Sequence, residues 1–118
     1  SAQAATINAA SASQADVSAA VTAAANGDTV VVPAGSAIWN SGLTITKNIS
    51  LVGAGIGNTV ITAGTAVLID YSPTTIVNMF RVSGFTFNSN NNQAIRLLDN
   101  SLNPPVYQVR IDHNRFTN

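Results

Sequence analysis

Two short segments of the chain place charged side chains where they could bind an anion. The segments are Phe80-Arg-Val-Ser-Gly84 and Val109-Arg-Ile-Asp-His113, and both alternate apolar with polar residues. Successive side chains of a β-strand point to opposite faces, so the apolar residues are predicted to face the core. The polar residues that share the outer face are Arg81, Ser83, Arg110 and Asp112. On neighbouring strands about 4.8 Å apart, Arg81 would lie beside Arg110 and Ser83 beside Asp112.

This pattern predicts recognition of carboxylates. A guanidinium binds a carboxylate through two parallel hydrogen bonds, so two arginines in a row would hold successive carboxylates of an acidic glycan. These four outward residues are therefore the candidate substrate-binding set. The alternative is a solvated surface on which Asp112 partly neutralises Arg110, because exposed ion pairs are common and weak.

No catalytic residue and no metal ligand is assigned from the sequence. Glycoside hydrolysis needs paired acids, whereas the chain has no glutamate and no two adjacent aspartates. His113, the single histidine, takes the place of Gly84 at the end of a strand and is interpreted as a turn residue. The chain has no cysteine, which excludes disulfides and thiolate metal sites. No cofactor is predicted from these residues.

A third copy of the strand pattern, Ile49-Ser-Leu-Val-Gly53, indicates a solenoid. The three copies begin 31 and 29 residues apart, a spacing typical of stacked repeats. The match continues past the copies at Phe80 and Val109, where it places Phe87 over Phe116. Short apolar runs separated by Gly, Asn, Ser and Pro imply about three strands per coil. Hairpin turns of the Asn-Gly type are missing between these runs, which favours parallel stacking over a meander.

A helix is predicted before the first coil. Ser13-Gln-Ala-Asp16 has the form of a capping box, and Asn26-Gly27 supplies a stop. The apolar stripe between them consists of Val17, Ala20, Val21 and Ala24. Because a β-branched run follows at once, we expect this amphipathic helix to close the end of the solenoid.

The chain is thus divided into three parts. Residues 1–12 form a flexible or donor-strand-like segment, in which Thr6-Ile7 is the one β-prone spot. Residues 13–27 form the capping helix, and residues 28–118 form the coils. After the copy at Val109 comes no second amphipathic cap, so the coils are expected to be truncated or completed by assembly at that end. Head-to-tail self-association is the predicted form of such assembly.

The composition of the chain limits the classes of binding partner that we expect. Charged residues make up 8% of the chain and the net charge is zero, so nucleic acid is disfavoured. No apolar run of about 18 residues exists, so no membrane span is predicted. The small, polar N-terminal residues suit a mature exported protein, which predicts a secreted or cell-surface location.

The opening of the chain resembles a known family. The predicted helix, followed by Gly27–Gly35, Ile38–Ile45 and Ile49–Gly55, is similar to the N-terminal part of the pectate lyase-like superfamily. The segment Val109–Phe116 resembles the Trp-Ile-Asp-His stretch of pectate lyases, with Arg110 in place of the Trp. The same segment also fits a plain repeat consensus.

This resemblance implies an all-β fold, a right-handed parallel β-helix with an N-terminal amphipathic capping helix. It also implies a secreted protein directed at an extracellular acidic polysaccharide, with calcium as a cofactor of the lyase members. Lyase chemistry needs several carboxylates around calcium and a basic residue, and the late carboxylates here are Asp99 and Asp112. Whether the chain is an enzyme therefore stays open. The alternative function is a non-catalytic structural or adhesive solenoid that stacks into filaments.

Three further features are interpreted as structural. Trp39 is assigned to the core rather than to a sugar-stacking surface. Gly53–Asn58 is assigned to a turn rather than to a dinucleotide loop, because no crossover helix follows it. Asn88–Asn92 is assigned to a loop, with an inter-coil asparagine ladder as the alternative.

Overall fold

The computed structural model describes residues 3–98 and 108–118, which form twelve short strands and one helix. The helix α1 spans Gln14–Ala23. The strands are β1 (Thr6–Asn8), β2 (Thr29–Val31), β3 (Gly35–Trp39), β4 (Leu43–Ile45), β5 (Ser50–Val52), β6 (Thr59–Ala63), β7 (Ile69–Tyr71), β8 (Phe80–Ser83), β9 (Thr86–Asn88), β10 (Ile95–Leu97), β11 (Val109–Asp112) and β12 (Arg115–Thr117).

The strands stack into three parallel sheets. The five-stranded sheet has the order β1-β2-β5-β8-β11, the four-stranded sheet β12-β9-β6-β3, and the three-stranded sheet β10-β7-β4. Every pairing between the described strands is parallel, and each strand pairs with its counterpart one coil away. The result is a β-solenoid of about 4 turns, which confirms the predicted all-β parallel architecture.

The register of the coils follows the sequence repeat. Val109 pairs with Phe80 and Phe116 pairs with Phe87, as the spacing predicts. The inward positions form a continuous core, in which Val30, Leu51 and Val82 are fully buried. Aromatic rings stack from coil to coil, with the ring centroids of Phe87 and Phe116 5.7 Å apart. Alternation and repeat length together therefore determine which side chains enter the core.

The helix begins as predicted but ends earlier. The Ser13 hydroxyl accepts a hydrogen bond from the Asp16 amide at 3.2 Å. The reciprocal half of the capping box is absent, because the Asp16 carboxylate accepts from the Ser11 hydroxyl instead and the Ser13 amide donates to that same hydroxyl. Ala24 ends the helix in an extended conformation, before Asn26-Gly27 is reached. Gly27, with φ of +92°, turns the chain toward β2.

The helix covers the N-terminal end of the solenoid. It contacts β1, β3 and β4, and its buried residues include Val17, Ala20 and Val21, as the apolar stripe predicts. Trp39 is buried beneath the segment that leads into the helix, and its indole Nε1 donates to the Ala12 carbonyl at 2.9 Å. The assignment of Trp39 to the core is thereby confirmed.

The segment before the helix joins the chain's own sheet. Thr6–Asn8 form β1 and pair in parallel with β2. Asp28 accepts hydrogen bonds from the amides of Ala5 and Ala25, at 2.9 and 2.8 Å, and so ties this segment to the end of the helix. In this structure the β-prone spot at Thr6-Ile7 therefore extends the five-stranded sheet of the same molecule.

The last described coil is the most exposed part of the core. Ile111 and Phe116 are 39% and 53% exposed, whereas their partners Val82 and Phe87 are fully buried. Ile111 therefore occupies the predicted register without the predicted burial, because β11 is the terminal strand of its sheet. Asp99 and the turn at 100–105 lie outside the described residues. In the described ranges, no helix is long and apolar enough to cross a membrane.

Candidate anion-binding site

The candidate site lies on the outer face of the five-stranded sheet. β8 carries Arg81 and Ser83, and β11 carries Arg110 and Asp112. The parallel register pairs Arg81 with Arg110 and Ser83 with Asp112, as the sequence predicts. On β8 the fully buried Phe80 and Val82 flank Arg81 and so fix which face the arginine presents.

Asp112 lies at the centre of the site. Its Oδ1 and Oδ2 atoms accept hydrogen bonds from Nε and Nη2 of Arg81, both at 2.9 Å, in a bidentate pair. Nε of Arg110 lies 3.2 Å from Oδ2 of the same carboxylate. The predicted neutralisation of Arg110 by Asp112 is therefore present, but the stronger contact is the diagonal one to Arg81.

The ion pair between Arg81 and Asp112 shifts the pKa of both residues. The hydrogen bond from Arg81 is the main reason that the pKa of Asp112 is held well below its usual value. The same hydrogen bond raises the pKa of Arg81. Two guanidinium groups thus face one carboxylate, which leaves one positive charge unbalanced within this group of residues. The site can attract an anion.

The two arginines differ in accessibility. The Arg110 side chain is 56% exposed and makes no hydrogen bond to another described residue, so its remaining N–H donors are available. The Arg81 side chain is 33% exposed, and one edge of its guanidinium is occupied by Asp112. Arg110 is therefore the more accessible cation of the pair.

His113 is a turn residue that also contacts the site. Its φ is +56°, and Gly84, the residue it replaces, has φ of +84°, which supports the turn interpretation. Its exposed ring places Nδ1 2.8 Å from Oδ2 of Asp112. Sequence reasoning missed this contact. The one feature of the sequence that could have indicated it is that Asp112 and His113 are adjacent.

Ser83 keeps the predicted register but not the predicted accessibility. It is 5% exposed, and its register partners are Val52 on one neighbouring strand and Asp112 on the other. A hydroxyl enclosed in this way does not face a large ligand. Ser83 is therefore removed from the set of direct ligand contacts.

A row of hydroxyl side chains continues the arginine row. Thr6, Thr29 and Ser50 occupy the same register position on β1, β2 and β5. Ser50 pairs with Arg81, so the row runs through five strands and ends at Arg110. Four inter-strand steps give it a length of about 19 Å. Sequence reasoning did not find this row, since the three copies that it aligned begin at Ile49 and leave out the segments that form β1 and β2.

The site does not fit calcium, the cofactor that the family resemblance implies. Asp112 is the single carboxylate of the described site, and both of its oxygens already accept hydrogen bonds from Arg81. Across residues 3–98 and 108–118, no group of three or more His, Cys, Asp or Glu side chains could hold a metal ion. A hard cation needs several oxygen ligands, and two adjacent guanidinium groups would repel it.

A separate apolar cavity of about 500 Å³ opens at the last coil. It is lined by Ser89, Gln93, Ala94, Ile95, Ile111 and Phe116. Three of these residues come from β10, β11 and β12, the terminal strands of the three sheets. The cavity is therefore the open end of the core rather than part of the arginine site.

The arginine row is the feature of the described residues that bears most directly on function. No protein-family model, no curated protein and no solved structure matches the chain.

Proposed function

We propose that the chain is a carbohydrate-directed β-solenoid that binds an acidic polysaccharide along the outer face of its five-stranded sheet. The observation that supports this proposal is the in-register placement of Arg81 and Arg110 on neighbouring strands, beside a single shared carboxylate. An extended polymer lying across the strands would meet one register position per strand, about every 4.8 Å.

Each part of the row has a distinct role in this proposal. Arg110 binds a uronate carboxylate of the polymer, because its guanidinium is half exposed and retains free donors. Thr6, Thr29 and Ser50 exchange hydrogen bonds with neutral sugar hydroxyls further along the sheet. The pectate lyase-like resemblance of the sequence suggests the same class of ligand, and such a ligand implies a secreted or cell-surface protein. The proposal is one of binding, and no catalytic step is assigned.

The test is binding of polygalacturonate at low ionic strength, measured by calorimetry. Arg110→Ala is expected to weaken binding about tenfold, since a hydrogen bond to a charged group contributes roughly 1.5 kcal/mol. Binding by the unmodified chain is expected to fade with added salt.

Arg115→Ala is the matched control. Arg115 is exposed on β12 in the four-stranded sheet, so this change removes the same charge from a different face. Equal affinities for Arg110→Ala and Arg115→Ala would contradict the proposal, because the effect would then depend on net charge and not on the row.

A structural solenoid is the second candidate. It is favoured by the apolar cavity at the last coil and by the exposure of Phe116, which offer a surface to a second copy of the chain. The helix covers the opposite end, so head-to-tail stacking would place the last coil of one molecule on α1 of the next.

A further inference from the structure

We infer that Asp112 is an internal competitor for the anionic ligand of the arginine row. Its carboxylate occupies the edge of Arg81 that a ligand carboxylate would use, and this leaves Arg110 as the first contact. The inference rests on the proposed function, since it concerns the regulation of the same site.

The first step of the argument is geometric. A bidentate arginine–carboxylate pair uses two parallel N–H donors, and Arg81 commits Nε and Nη2 to Asp112 at 2.9 Å each. A ligand carboxylate can take that position only after Asp112 leaves it. Asp112 is further held by Nδ1 of His113, 2.8 Å from its Oδ2 atom.

The second step is electrostatic. Asp112 carries the same charge as the ligand and lies within 3.2 Å of the Arg110 guanidinium. It therefore weakens the attraction of both arginines for an incoming carboxylate. The unmodified site holds one excess positive charge, and neutralising Asp112 would give it two.

The chain contains a matched control for this charge change. On the three-stranded sheet, Asp70 accepts a bidentate pair from Arg96, with its two oxygens 2.7 and 3.0 Å from Nε and Nη2. Asp70→Asn therefore removes the same charge and loosens the same kind of inter-coil pair. Because Asp70 lies on β7, outside the five-stranded sheet, the arginine row is untouched.

The experiment measures polygalacturonate affinity for the unmodified chain, Asp112→Asn and Asp70→Asn at low ionic strength. Asp112→Asn is expected to bind about three- to fivefold more tightly, because the change in affinity should be of the size that an exposed ion pair contributes. Asp70→Asn is expected to match the unmodified chain. An affinity of Asp112→Asn equal to or below that of the unmodified chain would overturn the inference.

The outcomes separate this inference from the proposed function. If the unmodified chain binds and Arg110→Ala weakens that binding, the proposed function is supported, whatever the result for Asp112→Asn. Binding by Asp112→Asn alone would support the internal competitor and contradict the function proposed for the native chain. Absence of binding by both would overturn both.

A second measurement does not depend on the polysaccharide. Phenylglyoxal labelling of the native protein, followed by peptide mass spectrometry, is expected to modify Arg110 faster than Arg81. In Asp112→Asn, labelling of Arg81 should accelerate while that of Arg96 stays constant, and Asp70→Asn should show the reverse. Equal labelling of Arg81 and Arg110 in the unmodified chain would overturn the inference even if the variant did not fold.

Discussion

At the scale of single residues, buried polar side chains connect one coil to the next. Asn48 is 1% exposed, and its Nδ2 donates to the carbonyls of Thr75 and Val77 in the following coil. The Tyr71 hydroxyl donates to Oδ1 of the same asparagine. Asp28, which directly precedes β2, accepts hydrogen bonds from the backbone amides of Ala5 and Ala25. These side chains satisfy backbone groups that turns leave without a sheet partner.

Asp28 gives a prediction about pH. The hydrogen bond from the Ala25 amide, followed by that from Ala5, lowers the pKa of Asp28 below its ordinary value of 3.8. A carboxylate with a lowered pKa in the folded state contributes stability above the unfolded pKa and loses it as the pH falls through the folded value. The unmodified chain should therefore melt at a higher temperature than Asp28→Asn at pH 6, with the difference shrinking toward pH 2.

Thermal melts followed by circular dichroism between pH 2 and pH 6 would measure this difference. Asp16→Asn is a suitable control, because Asp16 accepts from a serine hydroxyl and, among the residues that the structure describes, from no backbone amide. A difference between Asp28→Asn and the unmodified chain that does not change with pH would contradict the role given to the Asp28 carboxylate.

At the scale of elements, the helix α1 is attached at both ends. Ser13 caps its first turn, and Nζ of Lys47 donates to the carbonyls of Val21 and Thr22 at 2.9 Å and to that of Ala24 at 2.5 Å. The last carbonyls of a helix have no partner within the helix, and a cation there also interacts favourably with the helix dipole. Lys47 directly follows β4 in the sequence, and its hydrogen bonds therefore join the helix to that strand.

Replacing this lysine tests the attachment. Lys47→Met keeps most of the aliphatic chain but removes all three hydrogen bonds, and we expect a loss of about 1–2 kcal/mol in the free energy of unfolding. Hydrogen exchange should accelerate in α1 while the amides of β6 and β9 keep their protection. Uniform acceleration throughout the chain would instead show that the helix and the coils open as one unit.

The sequence predicts elements well where a repeat constrains them. The alternation in Phe80–Gly84 and Val109–His113 correctly predicts the register of β8 and β11. It does not predict the diagonal pair of Arg81 with Asp112, because a long side chain can reach two residues along the neighbouring strand. The repeat does not predict strand β3, because Gly35–Trp39 lies before its first copy at Ile49. The predicted helix end at Asn26-Gly27 is too late, because Ala24 is already extended and buried and its carbonyl accepts a hydrogen bond from Lys47.

At the scale of the whole molecule, the two ends of the solenoid differ. The helix covers the first coil, whereas the last described coil exposes Ile111 and Phe116 beside an apolar cavity. Terminal strands of a sheet offer unpaired backbone groups to other chains. The structural-solenoid alternative would use this last described coil for contact between copies.

Sedimentation velocity would test that contact. The structural-solenoid alternative predicts larger species as the concentration rises, and it predicts that Phe116→Asp shifts the chain toward monomer because a charge in an apolar contact is costly. Arg115→Asp changes the charge of the neighbouring residue without altering the apolar lining, and it serves as the control. A monomer at every concentration would contradict the structural-solenoid alternative and leave the polysaccharide proposal unaffected.

The position of Trp39 has a consequence for how unfolding can be observed. It is the chain's single tryptophan, and it is buried at the covered end with its indole bonded to the Ala12 carbonyl. Repeat proteins unfold through neighbour-dependent steps, so coils far from the helix can open while the first coil stays intact. Tryptophan fluorescence would then remain native while far-ultraviolet dichroism already falls. Emission from this protein reports the state of one end, and a melt followed by fluorescence alone would overstate the stability of the coils that carry Arg81 and Arg110.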